Sequence, residues 1–332
     1  MNIKKIGLTA LAGSLVATSA MAGSLSLSGG AKISYVSKDG TITENTSSAN
    51  VASGFSMDQE ISASGSGELD NGFTVSIAHG MKGMNGDGSD TSSITLGMGD
   101  LGTLSYNDTD GHPGLAGLED FMPMAYEQAN DGLGTTATKA AMAKMASGQG
   151  FGYSTSLSGA SVSIGFSDGL GASTDRTDGG QDTTAASTGA STSIGISYDV
   201  MDSLTVKAGI GEEGQGDGKQ IDHSTVGFTY SFGPAKVGYQ VNDEDDSAAG
   251  GTDLETEIYA ISFMVNDNFS ISYGEHNTDK ANNAVDQEAE SIQASYSMGG
   301  MSINLKESEM SGVGNTAAKD HETTEVLVVF AF

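Results

Sequence analysis

The chain has no cysteine, no tryptophan, only 3 prolines in 332 residues, and few basic side chains. Without cysteine there can be no disulfide bonds, no cysteine-ligated zinc and no thiol catalysis. Lysine and arginine total 14 against 43 aspartates and glutamates, and Arg176 is the single arginine, so the formal charge is −29. Nucleic-acid binding depends on basic side chains that neutralise phosphates, so a nucleic acid is excluded as a partner.

Long apolar runs are also missing, and the only candidate membrane segment lies at the N-terminus. Lys4 and Lys5 precede an apolar stretch over 6–16, and Ala20-Met21-Ala22 follows. This order predicts a secretory signal peptide over 1–22, cleaved after Ala22. An N-terminal anchor is the alternative, but the apolar stretch is shorter than the ~20 residues that span a bilayer. Cleavage removes two lysines, leaves an exported domain over 23–332, and brings the formal charge to −31.

The rest of the chain alternates apolar residues with Ser, Thr or Gly at a period of two. Phe73-Thr74-Val75-Ser76-Ile77 is one example and Val226-Gly227-Phe228-Thr229-Tyr230 another. This period predicts strands with one apolar and one polar face. The predicted strands are 24–36, 58–69, 72–80, 91–100, 102–107, 150–158, 160–168, 189–200, 203–212, 222–232, 234–243, 254–265, 268–277, 287–298, 300–308 and 321–332. Tight turns alternate with longer polar loops between them.

The polar face of these strands decides between fold classes. It is almost wholly Ser, Thr, Gly, Gln, Asn and Lys, which is unlike an ordinary charged exterior. An even strand count, short turns at one end and long loops at the other are typical of a transmembrane β-barrel. The apolar face then contacts lipid, with tyrosines near both interfaces, and the polar face lines a lumen. A secreted β-sandwich or solenoid and a calcium-binding surface-array protein are the alternatives.

The C-terminal strand favours the barrel and carries a family resemblance. Thr324, Val326, Val328, Phe330 and Phe332 share one face, and the chain ends on an aromatic residue. This strand resembles the signal by which outer-membrane barrels are recognised by their assembly machinery, with Phe330 and Phe332 as its assembly residues. Together with the signal peptide, the opening strand over 24–35 and the strand count, the chain resembles the general diffusion porins of Gram-negative outer membranes. The scarcity of arginine departs from that family.

The resemblance implies a sixteen-stranded, all-β antiparallel barrel, a homotrimer, and a long third loop over 108–149 that folds into the lumen as a constriction. A loop of this length is expected to be functional, although a mobile external loop is the alternative. Residues 136–147 predict a short helix within it. The acidic residues expected at the constriction lie in the first part of the loop and are Asp108, Asp110, Glu119, Asp120 and Glu127.

Lysine positions in the strands predict a charged lumen wall. Each of Lys32, Lys207, Lys236 and Lys306 neighbours an apolar residue expected to face lipid, so all four point inward. A lysine facing lipid would cost ~2–4 kcal/mol at the bilayer midplane. Lys32 and Lys306 are expected to form a basic wall opposite the acidic third loop, where opposed charges would create a transverse field. Lys207 and Lys236 could equally serve only to hydrate the lumen.

Acidic clusters at 107–111, 175–182 and 242–246 have oxygen ligands that suit Ca²⁺ or Mg²⁺, with Asp108 and Asp110 as the named candidates. No EF-hand loop is complete, and solvated loops are the alternative. No other cofactor is expected.

Gly165-Phe166-Ser167-Asp168-Gly169 fits a hydrolase motif, but no helix is expected after it. The five histidines have no metal-ligand spacing, so the sequence predicts no enzyme.

The sequence therefore predicts an outer-membrane channel for passive diffusion of small hydrophilic solutes and ions. The net charge favours cations, although loop charges are screened within ~8–10 Å at physiological salt. The alternatives are a substrate-selective channel and a surface adhesin or structural envelope protein. Outer-membrane lipid, lipopolysaccharide, the barrel assembly machinery and small hydrophilic solutes are the expected partners.

Overall fold

The computed structural model describes residues 23–40, 53–82, 92–107, 114–133, 150–167, 189–216, 219–248 and 251–332. Its strands are β1 (Leu25–Gly40), β2 (Gly54–Glu68), β3 (Thr74–Lys82), β4 (Ser92–Gly97), β5 (Thr103–Asn107), β6 (Gly150–Leu157), β7 (Ala160–Ser167), β8 (Ser191–Met201), β9 (Leu204–Gly216), β10 (Lys219–Phe232), β11 (Ala235–Asp246), β12 (Leu254–Asn266), β13 (Phe269–Lys280), β14 (Gln287–Met298), β15 (Met301–Ser311) and β16 (His321–Ala331). The predicted signal peptide and residues 136–147 lie outside the described residues.

The sixteen strands form one closed antiparallel barrel in which each strand pairs with its neighbours in sequence. β1 closes the barrel against β16, with Lys32 opposite Val329. The backbone of Phe332 continues this seam, because its N–H donates to Gly29 O at 3.0 Å and its carbonyl accepts from Gly29 N–H at 2.9 Å. Closure leaves no strand edge unpaired, which is the condition for strands to cross lipid. The predicted barrel is confirmed.

The two faces of the strands separate as the period of two predicts. Leu27 is 71% exposed and Ile33 46% exposed on the outside of β1, and Lys32 between them points inward. Tyr35 and Phe55 pack on the outer face with ring centroids 4.9 Å apart, and Tyr106 and Phe151 at 4.8 Å. These aromatic pairs lie towards the long-loop end, where the sequence predicted an interfacial girdle.

The short turns have the backbone that hairpins require. Between β6 and β7 the two central residues are Ser158 with φ 53° and Gly159 with φ 88°. Two consecutive positive φ values are typical of a type I′ turn, whose twist matches that of the flanking strands. The predicted tight turn over 157–160 is confirmed.

Several strands extend beyond their predicted ends at the long-loop side. β11 continues to Asp246, so the acidic cluster expected in a loop at 242–246 lies in a strand. Its side chains therefore alternate between faces, with Asp243 and Asp245 outside and Asn242 and Glu244 inside. The prediction of a loop here was wrong because the alternation continues in charged residues, which an apolar pattern does not reveal.

The outer wall carries carboxylates above the apolar band. Glu275 pairs across strands with Glu290, Glu290 with Glu309, and Glu309 with Glu322, so these four form an outer acidic row on β13 to β16. The Tyr273 hydroxyl lies 2.9 Å from Glu275 Oε2 and 2.6 Å from Glu290 Oε2. Like charges directly opposite each other repel, so the row lowers the stability of the barrel.

Helical structure in the described ranges amounts to two short 3₁₀ turns, Gly99–Leu101 and Ala116–Leu118. No helix among the described residues has the length and apolarity needed to cross a membrane. The second turn lies in the segment 114–133, which enters the barrel and is called here the inner loop segment.

Candidate functional site: a loop along the lumen wall

The inner loop segment follows the inner wall of the barrel from β8 to β15. At its start, the Leu115 N–H donates to Ser193 Oγ on β8 at 3.1 Å. At its middle, the Ala125 N–H donates to Ser272 Oγ on β13 at 2.8 Å. Near its end, it contacts Lys306 on β15. The segment thus lies along one side of the lumen, from β8 to β15.

Small residues on the wall make room for this loop. Five strands from β8 to β13 carry an inward glycine beneath it, and a Cβ added at any of them would lie within 3 Å of a loop side-chain atom. The glycines and their nearest loop side chains are Gly195 under Leu118, Gly209 under Leu115, Gly227 under Phe121, Gly238 under Met122 and Gly274 under Met124. This glycine groove lets the loop backbone lie close to the wall.

Apolar side chains of the loop pack against the glycine groove and the wall beside it. Leu115 and Leu118 are buried with Phe121 beside them. Met122 packs with Ile258 and Ala260 of β12. Farther along, Leu133 packs with Met310 of β15 and Val313. These inward apolar residues of β12 and β15 interrupt the mainly polar lumen face where the loop covers them.

Two buried glutamines bind the loop backbone. Gln240 Nε2 donates to Leu118 O at 2.6 Å and Glu119 O at 2.9 Å, and its Oε1 accepts from Phe121 N–H at 3.2 Å. Gln293 Oε1 accepts from the N–H groups of Tyr126 and Glu127 at 3.0 and 3.1 Å, and Nε2 donates to Glu127 O at 2.8 Å. A side-chain amide offers both donor and acceptor, so each glutamine satisfies backbone groups that would otherwise be buried unpaired.

Asp120 is one of the predicted constriction acids, and it is directed at the wall. Its Oδ2 lies 3.0 Å from His276 Nε2, and both side chains are almost fully buried. Its Oδ1 accepts from the Met122 N–H at 2.7 Å. Glu119, beside it, contributes its carbonyl to Gln240 and to Asn242 Nδ2, the latter at 2.7 Å. These contacts anchor the middle of the loop.

Glu127 and Lys306, predicted on opposite sides of the pore, form an ion pair. Lys306 Nζ lies 2.8 Å from Glu127 Oε1, and Lys306 is only 3% exposed. The same ammonium donates to Gln128 O and Asp131 O, each at 2.8 Å. Residues 127–131 of the loop therefore surround the Lys306 ammonium. Removing one partner of a buried pair typically costs about 3–5 kcal/mol, so this contact fixes the loop strongly.

Burial beside this ion pair shifts the ionisation of two loop residues. Burial raises the pKa of the Asp131 carboxyl above its usual value, and the neighbouring Glu127 carboxylate adds to the rise while Lys306 opposes it. Burial, with the charge of Glu127 next in weight, also raises the pKa of the Tyr126 phenol, which stays neutral at physiological pH. The cluster holds more negative charge than one lysine can balance.

The other predicted lysines occupy different parts of the inner wall. Lys207 Nζ lies 4.7 Å above the Phe121 ring, a cation–π contact that supports the loop. Lys236 on β11 is exposed on the same side. Lys32 lies on β1 opposite Asp58 of β2. Only Lys207 and Lys306 thus touch the loop.

The remaining predicted site residues divide into two groups. Asp108 and Asp110, proposed at the constriction and for a metal, lie outside the described residues. Phe330 and Phe332 are on the outer face as their spacing predicts, 39% and 83% exposed. Among the side chains that the structure describes, no three His, Asp or Glu residues are grouped so as to hold a metal ion.

The sequence reasoning missed the residues that hold the loop. Gln240, Gln293 and His276 are inward residues of predicted strands, and the glycine groove lies on the same faces. An amide or imidazole at a mid-strand inward position is a usable signal, because a simple water-filled lumen needs only short hydroxyl side chains. The two-residue alternation does not identify the loop residue that such a side chain binds.

The comparisons with known proteins agree with this architecture. The family model described as Gram-negative porin matches residues 7–305. The anion-selective porin from Comamonas acidovorans is 16% identical, with 93% of this chain and 99% of that chain covered and a TM-score of 0.68. A triple mutant of the Rhodopseudomonas blastica porin is 16% identical, with 93% and 100% covered and a TM-score of 0.63. A search of curated proteins finds no match.

The solved structures support the barrel fold, and the family match covers nearly all of the chain. A loop pinned inside a closed barrel with a polar lining is the architecture that this family uses to form a pore. The chain therefore belongs to the Gram-negative porin family and is a channel protein of the outer membrane.

Proposed function

We propose that the protein is a passive, cation-preferring channel for small hydrophilic solutes and ions. The observation that carries the proposal is the lumen wall. Inward strand positions in the described ranges hold mainly Ser, Thr, Gly, Gln and charged residues, with a few aliphatic ones such as Ile258 and Leu327, and none is Phe or Tyr. Sugar-selective sites need aromatic surfaces, so this lining favours unselective diffusion over a substrate-selective channel.

Charge supports the preference for cations. The chain without residues 1–22 has a formal charge of −31. Lys306, which the sequence placed on a basic wall, is neutralised by Glu127 and covered by the loop. The basic side of the predicted transverse field is thereby reduced to Lys32, Lys207 and Lys236. Ion preference in a narrow pore follows the charges that line it, so the balance shifts towards cations.

No chemical step is part of this function. Diffusion is driven by the concentration gradient, and the inward side chains described above hold the loop in place. The proposal therefore includes neither an enzymatic activity nor a resident cofactor. Divalent cations enter it only as counterions of the acidic loops and of the outer acidic row.

The proposal extends to partners in the envelope. Residues 1–22 would direct export, and the barrel assembly machinery would recognise the outward Phe330 and Phe332. Ala63 and Gly65 lie on the outer face of β2 opposite Leu27 and Leu25, a small-residue surface that suits close packing of barrels in a homotrimer. The outer acidic row lies at the level of lipopolysaccharide phosphates, to which divalent cations would bridge it.

Reversal potentials across a planar bilayer test the ion preference. With a tenfold KCl gradient we expect the sign of a cation-selective pore, and the opposite sign would overturn the preference.

Liposome swelling with sugars of increasing size tests the solute class. Uptake that depends on size alone supports passive diffusion, uptake of one sugar supports a selective channel, and no uptake supports an adhesin.

A further inference from the structure

The ammonium of Lys306 has no hydrogen-bonding capacity left. A lysine ammonium carries three N–H donors. The three are directed to Glu127 Oε1, Gln128 O and Asp131 O, each at 2.8 Å. All three acceptors belong to the inner loop segment. Lys306 therefore serves the loop, although it projects from the barrel wall.

Glu325 lies directly beside Lys306 on the neighbouring strand, but it receives none of the hydrogen bonds of the lysine. β15 and β16 pair Lys306 with Glu325 in register, so both side chains point into the lumen. Within the described ranges, Glu325 makes neither a hydrogen bond nor a salt bridge, and it is partly exposed. Its electrostatic neighbours include the carboxylates of Glu127 and Asp131 as well as Lys306.

The cluster therefore has three carboxylates and one ammonium, and only one carboxylate is in contact with the ammonium. Glu127 is paired, and Asp131 accepts the Gln128 N–H at 3.2 Å. Glu325 is the remaining member, half-buried on the inner face of β16 beside this pair. A carboxylate on the wall of a pore attracts cations and repels anions.

We propose that Glu325 is the residue that determines the cation preference of the pore. The inference rests on the proposed function, since it assigns a preference that the channel must first display. It differs from the sequence-based expectation, which placed this role on the acids of the third loop. In the structure, Glu127 is paired with the Lys306 ammonium, and Asp120 is buried against the His276 ring.

A matched pair of substitutions on one strand tests the assignment. Glu325→Gln removes the inward charge, and Glu322→Gln removes an equal charge three residues away on the outer face. Both keep the side-chain size, and native barrels can be selected by resistance to unfolding on unheated gels. The readout is the permeability ratio of K⁺ to Cl⁻, obtained from reversal potentials in a KCl gradient.

We expect Glu325→Gln to lower the ratio about sevenfold, because one negative charge ~6 Å away in water lowers the energy of K⁺ and raises that of Cl⁻ by about one RT each. Glu322→Gln should leave the ratio unchanged. The assignment is overturned if the wild type is cation-selective and Glu325→Gln keeps its ratio, or if both variants lower it equally. A wild type that prefers anions would instead refute the proposed function itself.

Discussion

At the scale of single residues, two of the four acidic side chains of the inner loop segment contact basic side chains of the wall behind it. Asp120 contacts His276, and Glu127 contacts Lys306. Such buried pairs add little net stability over apolar packing, but breaking one leaves an unpaired charge. Their effect is positional. They fix which side of the loop faces water, and so which charges a passing ion meets.

Replacing Lys306 tests the positional role of that pair. Lys306→Met leaves Glu127 and two backbone carbonyls without their donor, so we expect the loop turn at 127–131 to move. Single-channel recordings should show increased open-channel noise and transient closures. Lys236→Met, a lysine exposed on the same inner wall, is the control and should leave the noise unchanged. Identical traces for Lys306→Met and wild type would show that the ion pair does not hold the loop.

Asp131 makes the ion preference sensitive to acid. Burial raises the pKa of this carboxyl, so the folded protein binds its proton at a higher pH than an exposed aspartate does. As the pH falls, Asp131 therefore loses its negative charge at a higher pH than an exposed aspartate does, and the K⁺ to Cl⁻ ratio should begin to decline there. In Asp131→Asn the ratio should lack this early decline. A wild-type ratio that stays constant until the ordinary range of aspartate would contradict the assignment.

At the scale of elements, the loop and the wall are complementary surfaces. The glycine groove and Ala260 form a shallow track across β8 to β13, and the loop fills it with Leu115, Leu118, Met122 and Met124. Methionine adapts to irregular surfaces, so tight contact needs no strained side chains. The track explains why a long loop is held along one side of the lumen without a regular element of its own.

A side chain placed in the groove should displace the loop into the pore. In Gly238→Val the new Cβ would lie 2.7 Å from Met122 Sδ and 2.9 Å from Pro123 Cδ, both loop atoms. We expect a folded barrel with lower single-channel conductance. Gly54→Val is the matched control, since a Cβ there meets no atom within 4 Å. Equal conductance in Gly238→Val and the control would mean that the loop does not lie in the groove.

At the scale of the whole molecule, the two-residue alternation predicted nearly every feature of the barrel wall. Strand number, turn positions and the inward side of the four lysines all follow from alternation, because lipid and water impose it on each strand. The path of the loop does not follow from it. Gln240 and Gln293 act on residues more than a hundred positions away, and only the closed barrel brings them together. Asp245 and Asp246 were assigned to a loop because charged residues hid the alternation of β11.

The outer acidic row affects the stability of the barrel as a whole. Glu290 faces Glu275 on one side and Glu309 on the other. Glu290→Gln removes both repulsions and keeps an oxygen that accepts from the Tyr273 hydroxyl. We expect the free energy of unfolding in detergent to rise by about 0.2–1 kcal/mol at low salt. The gain should shrink in 1 M NaCl, where surface charges are screened. A loss of stability at low salt would show that the row is not repulsive.

The position of the loop inside the lumen is the feature on which the pore depends most, and one cross-linking measurement tests it directly. The chain has no native cysteine, and a Cβ at Gly274 would lie 2.6 Å from Met124 Sδ. The double variant Met124→Cys with Gly274→Cys therefore places two thiols within reach across the loop–wall contact. In protein embedded in liposomes and mildly oxidised, the account predicts a disulfide in nearly all molecules. A pair that stays reduced in folded, membrane-embedded protein would contradict it.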